Sequence, residues 1–273
     1  MTTAEHAAEP AAGPPAGQFA PGTFTPDPAP GSPLRMLATQ SATELRLALR
    51  QGEQVLLTLL IPLLLLVGLT LLQVVQLPEP RINSVVPAVL ALAVMSTAFT
   101  AQAIALGFDR RYGVIARLAA TALPRWLLVA GRLAAVLGEV VIQAVLLGAV
   151  AVALGWRPAL GGIGWALLLV LLGCAAFGAL GILLGGTLRA ELVLAVANLL
   201  WFLLLLGGGI VVPAAQLPGP LAGVVGYLPS GALAEGLRAA LVDGSAPGPQ
   251  PVLVLIGWAF AAGLVAARTV RLR

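Results

Sequence analysis

The sequence contains no lysine, and all 15 of its basic side chains are arginines. The phosphate-binding loop GxxxxGK[ST] needs a lysine to reach the terminal phosphates of a nucleotide. The chain therefore cannot hydrolyse ATP by itself, and any ATP-driven function requires a separate ATPase subunit.

Charged residues are also scarce, at 10% of the chain against 59% hydrophobic residues. A soluble domain carries about 25% charged residues. So few charges cannot cover a water-facing surface, so most of the exterior is expected to face lipid. The net charge of +4 does not indicate a nucleic-acid partner, because no aromatic and basic platform accompanies it.

The residues that build catalytic and metal sites are nearly absent. Cys174 is the single cysteine and His6 the single histidine, which excludes an internal disulfide and a metal cluster. The sequence shows no Ser/His/Asp set, no zinc-ligand spacing and no motif with paired carboxylates. We therefore expect no catalytic residue, no metal site and no cofactor bound by this chain, and we do not expect an enzyme.

The first 53 residues contain two different segments. Residues 1–33 are rich in Pro, Gly and Ala, which predicts a disordered tail, and they lack the basic and apolar regions of a cleavable signal peptide. Residues 34–53 alternate between faces as an amphipathic helix does. The apolar positions are Leu34, Ala38, Ala42, Leu45 and Leu49. With no other helix predicted for it to pack on, this helix is expected to lie in the membrane interface.

Long charge-poor intervals then predict an all-α integral membrane domain over residues 54–268, followed by a basic cytoplasmic tail at 269–273. Six spans are predicted, at about 54–76, 85–107, 127–154, 160–187, 192–212 and 251–267. Prolines interrupt the stretch 216–241, so it is predicted to form a short re-entrant helical pair in the outer leaflet. The alternative is a seventh span.

The arginine distribution favours six spans with both termini in the cytoplasm. In that topology twelve arginines lie inside, and only Arg81, Arg157 and Arg238 lie outside. Such an excess of arginine in cytoplasmic segments is the usual determinant of membrane orientation. A seventh span would move the basic C-terminal tail outside and weaken this bias.

The stretch FDRRYGVIARLAATALPRW, between the second and third predicted spans, is the candidate functional segment. It joins a charged cluster at Asp109, Arg110 and Arg111 to a short helix-capable run, residues 114–120. A positive-inside anchor would explain the arginines but not the helix-capable run. The combination favours docking to a soluble partner.

These residues carry a resemblance to a known family. The ordered set of an amphipathic helix, a first span, this loop and the late segment LPGPLAGVVGYLPSGALAEGLRAAL resembles the permease subunit of ABC-2-type exporters over residues 34–268. The family pattern after the second span is roughly E-R-x-x-G-T-L-x-R-L-x-x-T-P-L. Matching positions are Asp109, Arg110, Gly113, Arg117, Leu118, Thr121 and Leu123, whereas Val114 and Ala122 depart from it.

The resemblance implies a half-transporter that pairs with a second permease copy in the lipid of a bacterial cell membrane. Each half would carry a separate ATP-binding subunit, which binds ATP and Mg²⁺. The loop would be the coupling helix that seats in this subunit. The residues implied in coupling are Asp109, Arg110, Arg111, Tyr112, Gly113, Arg117, Leu118 and Thr121.

Glu139 lies near the middle of the third predicted span, where a carboxylate is energetically costly. It could line a substrate path together with Gln143, four residues further along the same helix face. Alternatively, the two side chains hydrogen-bond between helices, with Arg132 as another partner for Glu139. Gly181 and Gly185 form a small-xxx-small pair that is expected to pack within the subunit.

The predicted function is outward transport of a hydrophobic or amphipathic, drug-like compound. Two alternatives remain open: an ABC-2 exporter of a glycan or lipid-linked polymer, and a membrane scaffold or assembly factor that transports nothing. The aromatic content of 5% is low for a path that stacks on sugar rings.

Overall fold

The computed structural model describes residues 31–50, 52–72, 77–119, 124–210 and 218–270, and its elements in these ranges are all helical. The α-helices are α1 (Pro33–Arg50), α2 (Gly52–Leu71), α3 (Arg81–Met95), α4 (Gln102–Arg111), α5 (Val114–Ala119), α6 (Arg125–Ala153), α7 (Ile163–Thr187), α8 (Ala190–Gly207), α9 (Gly219–Gly226), α10 (Pro229–Leu241) and α11 (Pro249–Thr269). The predicted all-α class is confirmed. The predicted tails lie outside the described residues over 1–30 and 271–273.

Five helical stretches are long and apolar enough to cross a membrane by length and composition: Arg81–Arg111, Trp126–Ala153, Leu160–Thr187, Ala190–Gly207 and Pro249–Thr269. They coincide with the second to sixth predicted spans. Within α2 the apolar stretch is shorter, Thr58–Leu71, and residues 73–76 are outside the described ranges. The count of six spans therefore stays a prediction.

A π-helical segment, Ser96–Ala101, joins α3 to α4, so that one continuous helix runs over Arg81–Arg111. Such π segments inside helices frequently occur at functional sites. The hydroxyl of Ser96 accepts a hydrogen bond from the indole Nε1 of Trp201 on α8 at 2.9 Å. The π segment is thus tied to a neighbouring helix near the middle of the bundle.

Close helix packing around α7 relies on its glycines. A Cβ on Gly181 would lie 2.9 Å from the carbonyl oxygen of Phe99, and a Cβ on Gly185 would collide with the carbonyl oxygen of Ala103. Only a residue without a side chain lets the backbones approach so closely. The expectation that Gly181 and Gly185 pack within the subunit is confirmed.

The proline-rich stretch before the last span forms the predicted pair of short helices, α9 and α10. With 13 residues, α10 is shorter than the roughly 20 residues that a crossing helix needs. It is buried along most of its length against α3, α7 and α11. The amide of Ala159 donates to the carbonyl of Leu241 at 3.0 Å, so α10 ends beside the α6–α7 connection. We call this end of the bundle the α10 end and the other, which carries α5, the α5 end.

Unlike the sequence-based expectation, the structure provides a helix on which α1 packs. Helix α1 packs against α6, where Gly131 lies beneath Gln40 and Gly138 beneath Leu45. Leu34 and Leu49, which belong to the predicted apolar face, remain exposed. The prediction that no helix could receive α1 is wrong, because glycines on α6 create a groove that sequence periodicity does not reveal. The position of α1 in the membrane interface stays a prediction.

Candidate coupling site and mid-span polar cluster

The charged cluster that the sequence placed in a loop belongs to the last turn of α4, because the helix continues to Arg111. In this turn Asp109, Arg110 and Arg111 point in different directions, since successive helical residues are about 100° apart. Each of the three side chains contacts a different helix. The loop assignment of these three residues was therefore wrong by about one helical turn.

Asp109 connects α4 to α6. Its carboxylate oxygen Oδ2 accepts a hydrogen bond from the guanidinium of Arg132 at 2.8 Å, and the two side chains are 32% and 14% exposed. Arg132 also donates through Nε to the side-chain oxygen of Gln102 at 2.7 Å. One arginine near the start of α6 is thus held by two positions on α4, seven residues apart along the chain.

Arg110 connects α4 to the end of α7. Its guanidinium nitrogen donates to the carbonyl oxygens of Gly185 at 2.9 Å and Leu188 at 3.3 Å. The last carbonyls of a helix have no partner within the helix and carry a partial negative charge. Arg110 therefore supplies both hydrogen bonds and a favourable charge at the C-terminus of α7.

Arg111 connects α4 to the beginning of α8. It forms an ion pair with Glu191, which lies in the first turn of that helix. A carboxylate in this turn is favourable because the first amides of a helix carry a partial positive charge. Together the three contacts bind the end of α4 to α6, α7 and α8.

A tight turn then leads from α4 into α5. Gly113 adopts a φ of 68°, a conformation that favours glycine. Tyr112 stacks on Phe108 with 6.1 Å between ring centroids, yet it is 66% exposed. On α5, Arg117 is exposed and donates to the carbonyl of Tyr112 at 3.3 Å, whereas Leu118 is half-buried. Tyr112 is thus more exposed than Leu118. Thr121 lies outside the described residues.

In the mid-span region, Gln143 and Glu139 differ in their surroundings. Gln143 is 3% exposed, and its side-chain oxygen accepts a hydrogen bond from the hydroxyl of Thr97 at 3.0 Å. Glu139 is half-buried and has no hydrogen bond or ion pair within the described part of the chain. Through its bond with Thr97, Gln143 joins α6 to the π segment. Arg132, which the sequence suggested as a partner of Glu139, instead contacts Asp109.

The sequence alone did not identify Gln102, Thr97 or Glu191 as parts of these sites. Gln102 and Asp109 share one face of α4 at a separation of seven residues, which is the only local signal of a common partner. Thr97 and Glu191 are ordinary residues in their own segments. Their contacts depend on how α3, α4, α6 and α8 are placed around one another.

The described helices, five of them long and apolar enough to span, define a multi-pass α-helical membrane protein with a charged cluster where the Arg81–Arg111 helix ends. The model of the ABC-2 type transporter family matches residues 37–242, well over half of the chain. This chain therefore belongs to the ABC-2 type transporter family and is a transport permease subunit. Members of this family normally work with an ATP-binding subunit. A comparison with curated proteins gave no match.

Proposed function

We propose that this chain is the permease of an exporter that moves a hydrophobic or amphipathic, drug-like compound outward, powered by a separate ATP-binding subunit. The observation that carries the proposal is the position of α5. It is a short helix between two long ones, and it follows a turn of α4 that contacts α6, α7 and α8. A force applied to α5 would reach three helices at once.

The docking surface is proposed to consist of Tyr112, Arg117 and Leu118. Tyr112 and Arg117 are exposed, and together they offer an aromatic surface and a cation. Tyr and Arg are enriched among residues that dominate protein interfaces. Asp109, Arg110 and Arg111 are occupied by contacts inside the subunit, so we assign them to transmission of the motion and not to docking.

The nature of the substrate is proposed from the walls of the bundle. Spans lined by Leu, Val, Ala and Gly offer hydrophobic surface and few hydrogen-bonding groups. Such surfaces suit apolar or amphipathic molecules better than sugars, which need aromatic stacking and many polar contacts. Glu139, half-buried and without a partner among the described residues, remains the candidate contact for a positive charge on the substrate.

The assembly is proposed to be a homodimer of two permease copies in a bacterial cell membrane, each with its ATP-binding subunit. The large exposed apolar faces of α8 and α11 would contact lipid or the second copy. The arginine distribution supports cytoplasmic termini and, with them, a cytoplasmic position for the α5 end. In this orientation α5 lies on the side where ATP is available.

The proposal is tested by changing Arg117 and Leu118 together to alanine. The full chain is purified from its own membranes, and ATP hydrolysis by the co-purified material and dye export are measured. We expect the Arg117→Ala/Leu118→Ala variant to insert normally but to lose most of both activities, because the few side chains that dominate an interface each contribute about 2 kcal/mol or more.

The matched control is Arg157→Ala/Leu160→Ala, which removes an exposed arginine and an exposed leucine at the α10 end. This control should behave as the wild type does. If the α5 variant retains its ATPase and exports normally, α5 is not the docking helix.

A further inference from the structure

A cavity of about 450 Å³ opens at the α5 end, between the last turn of α4, the end of α7 and the beginning of α8. Its volume falls within the roughly 300–1,000 Å³ of small-ligand pockets. The polar side chains of its walls include Arg110, Arg111, Arg189 and Glu191. Three cations thus face one carboxylate in a single recess.

The positive charge of the cavity is only partly balanced within the subunit. Arg111 pairs with Glu191, so these two charges offset each other. Arg110 donates to carbonyl oxygens, which carry no formal charge, and its own charge remains. Arg189 is exposed and has no hydrogen bond or ion pair to any described residue. The recess therefore retains about two positive charges for an anionic ligand.

A second, independent feature adjoins the cavity. Leu192, Leu199 and Leu203 on α8 are 52%, 59% and 57% exposed. Their spacings of seven and four residues place them on one face of the helix, on the side of Arg189. An apolar strip thus begins beside the basic recess and follows α8 toward the middle of the bundle.

We propose that this cavity binds the phosphate group of an anionic phospholipid, with an acyl chain lying along the exposed leucines of α8. The recess lies where the apolar span of α7 ends and that of α8 begins, which is the level of lipid headgroups in a membrane. Basic pockets between transmembrane helices recognise phosphate-bearing headgroups. Arginine suits phosphate because its planar fork donates two parallel hydrogen bonds. The proposal does not depend on the transported compound or on the ATPase.

The test uses the full-length chain in detergent, with lipid added back and binding followed by native mass spectrometry. The probes are phosphatidylglycerol, phosphatidylcholine and inorganic phosphate. The variant is Arg189→Gln, which removes the unpaired charge and leaves the three interhelical contacts of α4 in place. Its control is Arg268→Gln, since Arg268 is another exposed arginine at the α5 end without a partner among described residues, and it lies outside the cavity.

We expect the wild type and Arg268→Gln to retain phosphatidylglycerol at least fivefold more strongly than phosphatidylcholine, and Arg189→Gln to lose this preference. Equal retention of phosphatidylglycerol by all three proteins would overturn the proposal. If inorganic phosphate at millimolar concentration displaces the lipid only from proteins that keep Arg189, the phosphate contact is supported. If phosphate binds with the same dependence while the lipid does not, the site takes a free anion and the lipid assignment is wrong. Loss of a co-purified ATPase from Arg189→Gln, with lipid retention unchanged, would instead assign the recess to the protein partner.

Discussion

At the residue scale, Gln143 and Thr97 form the buried polar contact that joins α6 to the π segment. A hydrogen bond between spanning helices contributes about 0.6–2 kcal/mol. We expect Gln143→Leu and Thr97→Val each to lower the free energy of unfolding by this amount, measured as melting in detergent. In a double-mutant cycle, the two losses should not add, because both variants remove the same bond. Additive losses would show that the pair is not coupled.

Glu139 leads to a different expectation, because no described residue bonds to it. We expect Glu139→Gln and Glu139→Leu to melt close to the wild type, since neither removes an internal hydrogen bond. If Glu139 lines the path, both variants should lower export of a cationic dye by about tenfold, equivalent to a loss of roughly 1.4 kcal/mol of charge attraction. Export of a neutral dye serves as the control. Unchanged export of both dyes would remove Glu139 from the substrate path.

At the scale of helices, the contact between Arg132 and Asp109 is the best candidate for a stabilising ion pair. Arg132→Met should lower the free energy of unfolding by about 1–3 kcal/mol, because it leaves the half-buried carboxylate of Asp109 without its partner. The comparison is Arg238→Met, which breaks the ion pair with Glu235 within α10. Glu235 is 55% exposed, so this loss should stay below about 1 kcal/mol. Equal melting temperatures for the two variants would contradict this ranking.

The helices also show which structural features can be predicted from local sequence. Charge-poor runs predicted the positions of the five long apolar helices to within a few residues, because hydrophobicity and length are local properties of the chain. The end of α4 was misplaced, since Asp109, Arg110 and Arg111 are polar and read as a loop. In the structure their contacts with α6, α7 and α8 keep this turn helical.

At the scale of the whole molecule, the contacts assign elements to the two ends. Gly186 packs against Val270, so α11 finishes at the α5 end, while the connection after α6 lies at the α10 end. With Cys174→Ala as background, we expect an impermeant maleimide to label Arg157→Cys on intact cells, but neither Arg268→Cys nor Tyr112→Cys. Inverted vesicles should give the opposite pattern. Labelling of Arg268→Cys and Arg157→Cys from the same side would contradict the arrangement of the ends.

The sequence by itself determined the membrane class and the approximate positions of the five long apolar helices, and it predicted a separate ATPase and a coupling segment near residue 110. These follow from composition, run length and the missing lysine, which are read along the chain without knowledge of neighbours. Only the tertiary structure decided that Arg132 bonds Asp109 and not Glu139, that α1 packs on α6, and that Arg189 lines a basic cavity. Such pairings depend on the rotation and contact of helices that are distant in sequence, and hydrophobic periodicity does not specify these for helices that are apolar on all sides.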